Sequence, residues 1–338
     1  MICRRLTLLC FLALTAVCLW SQQPQQSPSP SKSDQEAYKI GVEVNMVTVP
    51  VTVRRPEGGF LKGIPKSAFN VYEDQEPQDI VFFAQEALPT RIAIVLDSSG
   101  SVRSEWGTIK HATKKFVEQL KPEDEFSLIS FAADIRLKMD WGRKTDRVDS
   151  VMTSIYCKGN TKLWDAIWVV CNDVFKGIQE KKAMIIMSDG LDNESMVSYT
   201  GALKAAVLSE AALYVVSKTE AVRQIIMYEE AKRGYYDNVP QEAFVQADLA
   251  LRRLAYETGG RVLYPNNFGQ LDNVYAEVDE ELRNQYTIGY ISTNSAKDGS
   301  YRRIDVRVDT PGIAASTSAR PGYYAPDESN PRMPARRQ

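Results

Sequence analysis

The chain has 338 residues, 44% hydrophobic and 25% charged, with a formal net charge of −2. That length is enough for one large or two smaller cores, and the composition is that of a soluble globular protein. With a slight acidic excess nothing here resembles a basic nucleic-acid-binding surface, and with no CxxC or Cys/His cluster among five cysteines and one histidine a zinc site is unsupported.

At the N-terminus MICRR supplies a short basic region and LTLLCFLALTAVCLW an apolar stretch, followed by the polar run SQQPQQSPSPSKSDQ. This order predicts a secretory signal peptide over 1–21, cut near Cys18 to Ser21, and hence an exported protein. The apolar run is shorter than the roughly 20 residues a spanning helix needs, and no later segment is apolar enough to span a membrane. Val17 is bulky where lipid attachment at Cys18 would prefer a small residue. Loss of Arg4 and Arg5 with the leader takes the net charge from −2 to −4. Residues 22–37, rich in Gln, Pro and Ser, read as a disordered linker.

Residues 38–88 form an N-terminal β segment: alternation in VNMVTVPVTV, the turn PEGG, and the runs FNVYED and DIVFFAQ predict strands joined by hairpin-like turns. Such a segment is small for a core of its own. From 89 to 284 strands alternate with helices: RIAIVLD, EWGTIKHATKKFVEQL, FSLISFA, DIRLKMD, RVDSVMTSIY, LWDAIWVVCNDVF, KKAMIIMSD, GALKAAVLSEA, LYVVS, ADLALRRLAYE closed by Thr258-Gly259-Gly260, RVLY, and FGQLDNVYAEVDEEL. This pattern predicts a doubly wound α/β domain with a mostly parallel sheet. A partly helical surface excursion is expected between Ser217 and Gln246.

Residues 285–325 return to β pattern in QYTIGYIS, YRRIDVRVD and AASTSARPGYY, before a disordered tail at 326–338. Each flank alone lacks a core, so the expected architecture is one β-sandwich built from both flanks with the α/β domain inserted. Two separate small β units are the alternative.

In an open α/β sheet, ligands bind outside the carboxyl ends of the strands. Three polar loops fall there: DSSGS after the first strand, KGNTKLWD before a helix, and MSDGLDNES after KKAMIIM. They offer Asp97, Ser99, Ser101, Thr161, Asp189 and Asp192, an all-oxygen set that suits a hard cation such as Mg²⁺, Mn²⁺ or Ca²⁺. The two-residue spacing of Asp97, Ser99 and Ser101 lets a tight loop aim all three at one point, with Gly100 supplying backbone freedom. Capping and turn roles alone would also favour Ser, Thr and Asp in such loops.

DSSGS, Thr161 in GNTKLWDAI and Asp189 in SDG together resemble the metal-ion-dependent adhesion site, DxSxS with a later Thr and Asp, of von Willebrand factor type A domains. The resemblance covers residues 89 to about 284. The flanking β segments look like those of the acidobacterial group of exported proteins that carry such a domain. The resemblance implies that Ser99 and Ser101 bind the metal directly, and Asp97, Thr161 and Asp189 directly or through water. It leaves one coordination position for an exposed Asp or Glu of a protein partner. Asp192 lies outside the motif, and Ser98 is the spacer between two ligands. The expected function is an exported, metal-dependent protein-binding module, not an enzyme. The alternative is a structural envelope protein with a vestigial metal site.

Hydrolysis has little to stand on: neither Ser99 nor Ser101 lies in GxSxG, and the one histidine, His111, falls on a polar part of the first helix. Trp164 and Trp168, four apart on a helix, are expected to pack on the sheet. Tyr235 and Tyr236 are candidates for partner contact. Cys157 and Cys171 allow either a disulfide or, for Cys171 in an apolar helix, a buried free thiol.

Overall fold

The computed structural model describes residues 46–85, 88–143, 145–218 and 241–328. The expected signal peptide, the linker, Tyr235 and Tyr236 with most of the excursion around them, and residues 329–338 of the tail lie outside the described residues. The C-terminal β segment runs slightly further than expected, since the Glu328 N–H donates to the Lys297 carbonyl at 3.2 Å and Asp327 bridges to Asp298.

In chain order the strands are β1 (Met46–Arg54), β2 (Phe69–Glu73), β3 (Glu76–Gln78), β4 (Ile80–Ala84), β5 (Thr90–Asp97), β6 (Glu125–Phe131) and β7 (Ile135–Gly142). They continue with β8 (Lys181–Ser188), β9 (Ala212–Ser217), β10 (Arg261–Leu263), β11 (Tyr286–Ile291), β12 (Tyr301–Val308), β13 (Ser316–Ala319) and β14 (Gly322–Tyr324). The helices are α1 (Trp106–Gln119), α2 (Val148–Thr153), α3 (Leu163–Val169), α4 (Tyr199–Ser209), α5 (Gln241–Glu257) and α6 (Leu271–Arg283).

A strand apolar at every position from Ile92 to Leu96 must be covered on both faces. It becomes β5, inside a six-stranded sheet of order β10-β9-β8-β5-β6-β7. All its pairings are parallel except that of β6 with β7. Alternate residues of β5 enter opposite cores. Ile92, Ile94 and Leu96 meet α1, α2 and α6, while Ala93 and Val95 meet α3, α4 and α5. The chain moves from β5 to β6 on one side and returns as β8 on the other, which puts the topological switch point at the carboxyl ends of β5 and β8.

The two flanks share both sheets of the sandwich. One sheet has the order β13-β1-β11-β4 and the other β14-β12-β2-β3, so each mixes N- and C-terminal strands. Val49, Val51, Phe69, Tyr286, Ile288 and Ile304 share one core between the two sheets. Pro50, which has no N–H to give, is tolerated in β1 because β13 pairs only with Val51 to Arg54. A buried carboxylate ties the flanks together: Glu73 on β2 accepts from the hydroxyls of Tyr290 at 2.8 Å and Tyr323 at 2.9 Å, and from Ser292 at 2.5 Å. Arg54 of the sandwich and Arg261 of the α/β layer both pair with Glu281 of α6, at 2.5 and 2.6 Å.

The sheet also answers the cysteine question. Cys157 belongs to the core on one face and Cys171 to the core on the other, so the sheet separates two free, buried thiols. Burial pushes the Cys157 thiol up to about 11 and the Cys171 thiol up to about 12. The two tryptophans part company. Trp164 packs edge-on to Tyr199 at 5.3 Å, whereas Trp168 is 39% exposed, contrary to expectation. The reason is that Leu163, Ala166, Ile167 and Val170 already fill the face of this short helix that meets the sheet.

Helix α5 ends where the glycines predict. The Gly260 N–H donates to Ala255 O at 2.9 Å and the Gly259 N–H, at φ 75°, to Tyr256 O at 3.1 Å, a Schellman closure. A β-carbon on Gly260 would drive into the backbone of Leu213 on β9. Gly260→Ala should therefore cost about 3 kcal/mol of unfolding free energy, measured by urea denaturation. Because both thiols are buried and held protonated, neither Cys157 nor Cys171 should react with iodoacetamide in the native protein at neutral pH. Both should react in urea, as read by intact mass.

Candidate metal centre

Three loops converge at the switch point, held by backbone hydrogen bonds. The Lys158 N–H donates to Ser98 O at 2.9 Å and the Gly100 N–H to Gly159 O at 3.2 Å, joining the DSSGS loop to the loop that carries Thr161. Arg103 strengthens that join by donating Nε and Nη2 to the Cys157 carbonyl at 3.2 and 3.0 Å. The third loop is clipped to the second through Asn193. Its N–H donates to Thr161 O at 3.1 Å, and its Oδ1 accepts from the Thr161 N–H at 2.8 Å.

Within this frame Asp97, the last residue of β5, is buried, and its Oδ1 accepts from the Ser99 N–H at 2.8 Å. The hydroxyls of Ser99 and Ser101 lie 3.0 Å apart, Ser99 buried and Ser101 half-buried at the mouth. Gly100 opens a short 3₁₀ turn, Gly100–Val102, so its freedom is not spent on left-handed backbone. The Ser98 hydroxyl donates to Phe131 O at 3.0 Å. Thr161 is buried on the adjoining loop.

Asp189 follows β8, and its Oδ1 accepts from the Leu191 N–H at 3.2 Å. Gly190 after it takes φ 79° and lies so close to Ala247 and Leu251 of α5 that any side chain would collide. Asp192 has a separate task. Its Oδ1 accepts from the Leu163 N–H at 2.7 Å and from the Ser195 hydroxyl at 2.5 Å, capping the start of α3 from a distant loop. Asp165 on α3 reciprocates by accepting from the Val197 N–H at 2.8 Å.

One participant carries no motif signal. Lys218, just after β9, places Nζ 2.7 Å from Asp97 Oδ2 and 3.6 Å from Asp189 Oδ2. The only hint in the sequence is a lysine directly following the apolar strand LYVVS, at the same level of the sheet as the two aspartates. Burial raises the Asp189 pKa, the Lys218 charge opposes that rise, and the Asp97 charge adds to it. Two carboxylates this close both stay ionised away from water only with a cation between them, and here the Lys218 ammonium takes that place. The surrounding donors are all oxygen, so the residues present fit a hard divalent ion. Among the described residues no group of three or more His, Cys, Asp or Glu could hold a metal, so the candidate centre depends on two carboxylates and neighbouring hydroxyls.

Residues 92–191 match the family model of the von Willebrand factor type A domain. No curated protein matches the chain. Similar solved structures include von Willebrand factor type A from Catenulispora acidiphila, 11% identical with a TM-score of 0.46, covering 86% of this chain and 75% of that one. An aerotolerance-related membrane protein from Bacteroides fragilis is 17% identical with a TM-score of 0.42, covering 57% of this chain and 98% of that one. Proximal thread matrix protein 1 from the mussel byssus, in a structure with a zinc-occupied MIDAS motif, is 14% identical with a TM-score of 0.43. That match covers 62% of this chain and 49% of the mussel protein. The family match spans β5 to β8 with the three loops that converge at the switch point, and this part of the chain is accordingly similar to a von Willebrand factor type A domain.

Proposed function

We propose that this protein is an exported interaction module that captures an acidic side chain of a protein partner through a divalent cation. Asp97, Ser99, Ser101, Thr161 and Asp189 would hold the ion, Mg²⁺ with Mn²⁺ or Ca²⁺ as alternatives. The observation that carries this reading is the buried pair Asp97 and Asp189 sharing a cationic position, with the Ser99 and Ser101 hydroxyls beside it. When bound, the ion supplies an electrophilic position that two carboxylates and neutral hydroxyls leave open to a further carboxylate. Tyr156, 80% exposed, and Met196, 91% exposed, sit on the two loops beside the site and give a partner apolar surface to bury.

Export rests on the N-terminal leader pattern, and the extent of the binding domain, 89–284, on the strand and helix alternation. A hydrolytic role gains no support from the site. The Ser99 hydroxyl is bonded to Ser101 and not to a base, and His111 is exposed on α1. A second reading has one observation in its favour. Because Lys218 already neutralises Asp97, the centre could be purely structural, with the β-sandwich making the contacts.

Calorimetric titration with Mg²⁺ and Mn²⁺ is expected to show binding in the wild type that Asp97→Ala abolishes. Binding unchanged by Asp97→Ala would remove the ligand assignment. Capture of partner protein should be lost in EDTA under the first reading and survive it under the second.

A further inference from the structure

Lys218 reaches the site from the strand beyond β8. Its backbone N–H donates to Ser188 O at 3.0 Å, prolonging the β8 and β9 ladder, and its side chain crosses the end of β8 to meet Asp97. The side chains of Lys218, Asp97 and Asp189 are 1%, 0% and 5% exposed. The ammonium is therefore enclosed with the carboxylates and is not a surface ion pair.

We propose that Lys218 is a built-in occupant of the cation position, so that a divalent ion and the lysine side chain exclude one another and Lys218 sets the affinity of the site for metal. The inference rests on the metal-ligand reading above. Charge balance is its physical basis. Of the described charges at this position, two carboxylates neutralise one divalent ion, whereas the ion together with the ammonium would leave one positive charge in excess. Geometry points the same way, because the Asp97 oxygen that a metal would engage already accepts from Nζ at 2.7 Å. Without metal, the lysine keeps two buried like charges from repelling one another. With metal bound, its flexible four-carbon stem lets the head swing out to water. Metal loading then exchanges a compact internal cation for one with an open coordination position. The same exchange moves a positive charge towards the mouth, where an acidic partner would meet it.

Two measurements on the purified protein test this. In calorimetry Lys218→Met should bind Mn²⁺ at least about tenfold more tightly than the wild type, since the ion no longer has to displace the ammonium. In amine acetylation read by peptide mass spectrometry, Lys218 should be protected in metal-free wild type and become labelled at saturating Mn²⁺. Equal affinities in the two proteins, or continued protection of Lys218 once Mn²⁺ is bound, would overturn the exclusion and leave the metal site standing. Absence of Mn²⁺ binding in both proteins would overturn the site and this inference together. Should Lys218→Met fail to fold alone, Mn²⁺ in the refolding buffer is expected to restore it by balancing the carboxylates, and no rescue counts against the proposal.

Discussion

Two aspartates buried side by side at the ends of neighbouring parallel strands constrain everything around them. Asp97 and Asp189 cannot both stay ionised away from water without a cation between them, and the fold supplies one position for it. Both arrive there because β5 and β8 are adjacent, parallel and in register from Thr90 with Lys181 to Leu96 with Met187. The apolar runs that precede the aspartates therefore do more than fill the two cores. They bring two charges to the same height on the sheet.

The loops carry the next level of control. Backbone bonds from Lys158, Gly100 and Asn193 fasten three loops into one rim, and Asp192 and Asp165 lock the rim to α3. Ser, Thr, Asn and Asp appear here in two distinct capacities. Asp192 and Asn193 spend their oxygens on backbone N–H groups, while Ser99 and Ser101 turn their hydroxyls towards each other beside Asp97. Composition alone does not separate these capacities, because the same residue types serve both.

The sandwich solves a different problem. Neither flank has enough apolar surface for its own core, so each sheet combines strands from the two ends of the described chain, and Glu73 gathers hydroxyls from β11, β14 and the turn after β11. Within the sandwich the end of β4 lies beside the start of β11, Ala84 opposite Thr287, so the chain enters and leaves the α/β layer at neighbouring points. Glu281, shared between Arg54 and Arg261, links the two layers through charge as well as packing.

The class of fold, the order of its elements and most residues of the candidate site are legible in the chain's local patterns. Local patterns carry these: continuous apolar strands, Thr258-Gly259-Gly260 after a helix, and DSSGS with a later Thr and Asp in loops that must share one edge of a parallel sheet. Tertiary structure alone decided three things. It put Cys157 and Cys171 on opposite faces of the sheet, a matter of which side of a strand each neighbouring helix covers. It left Trp168 exposed, because packing surface on so short a helix was already taken by its aliphatic neighbours. And it drew Lys218 across β8 onto Asp97, 121 positions away in the chain, an encounter fixed by strand order and not by any spacing. Periodicity reports which residues are buried together within an element. Only the arrangement of the elements reports which charges meet.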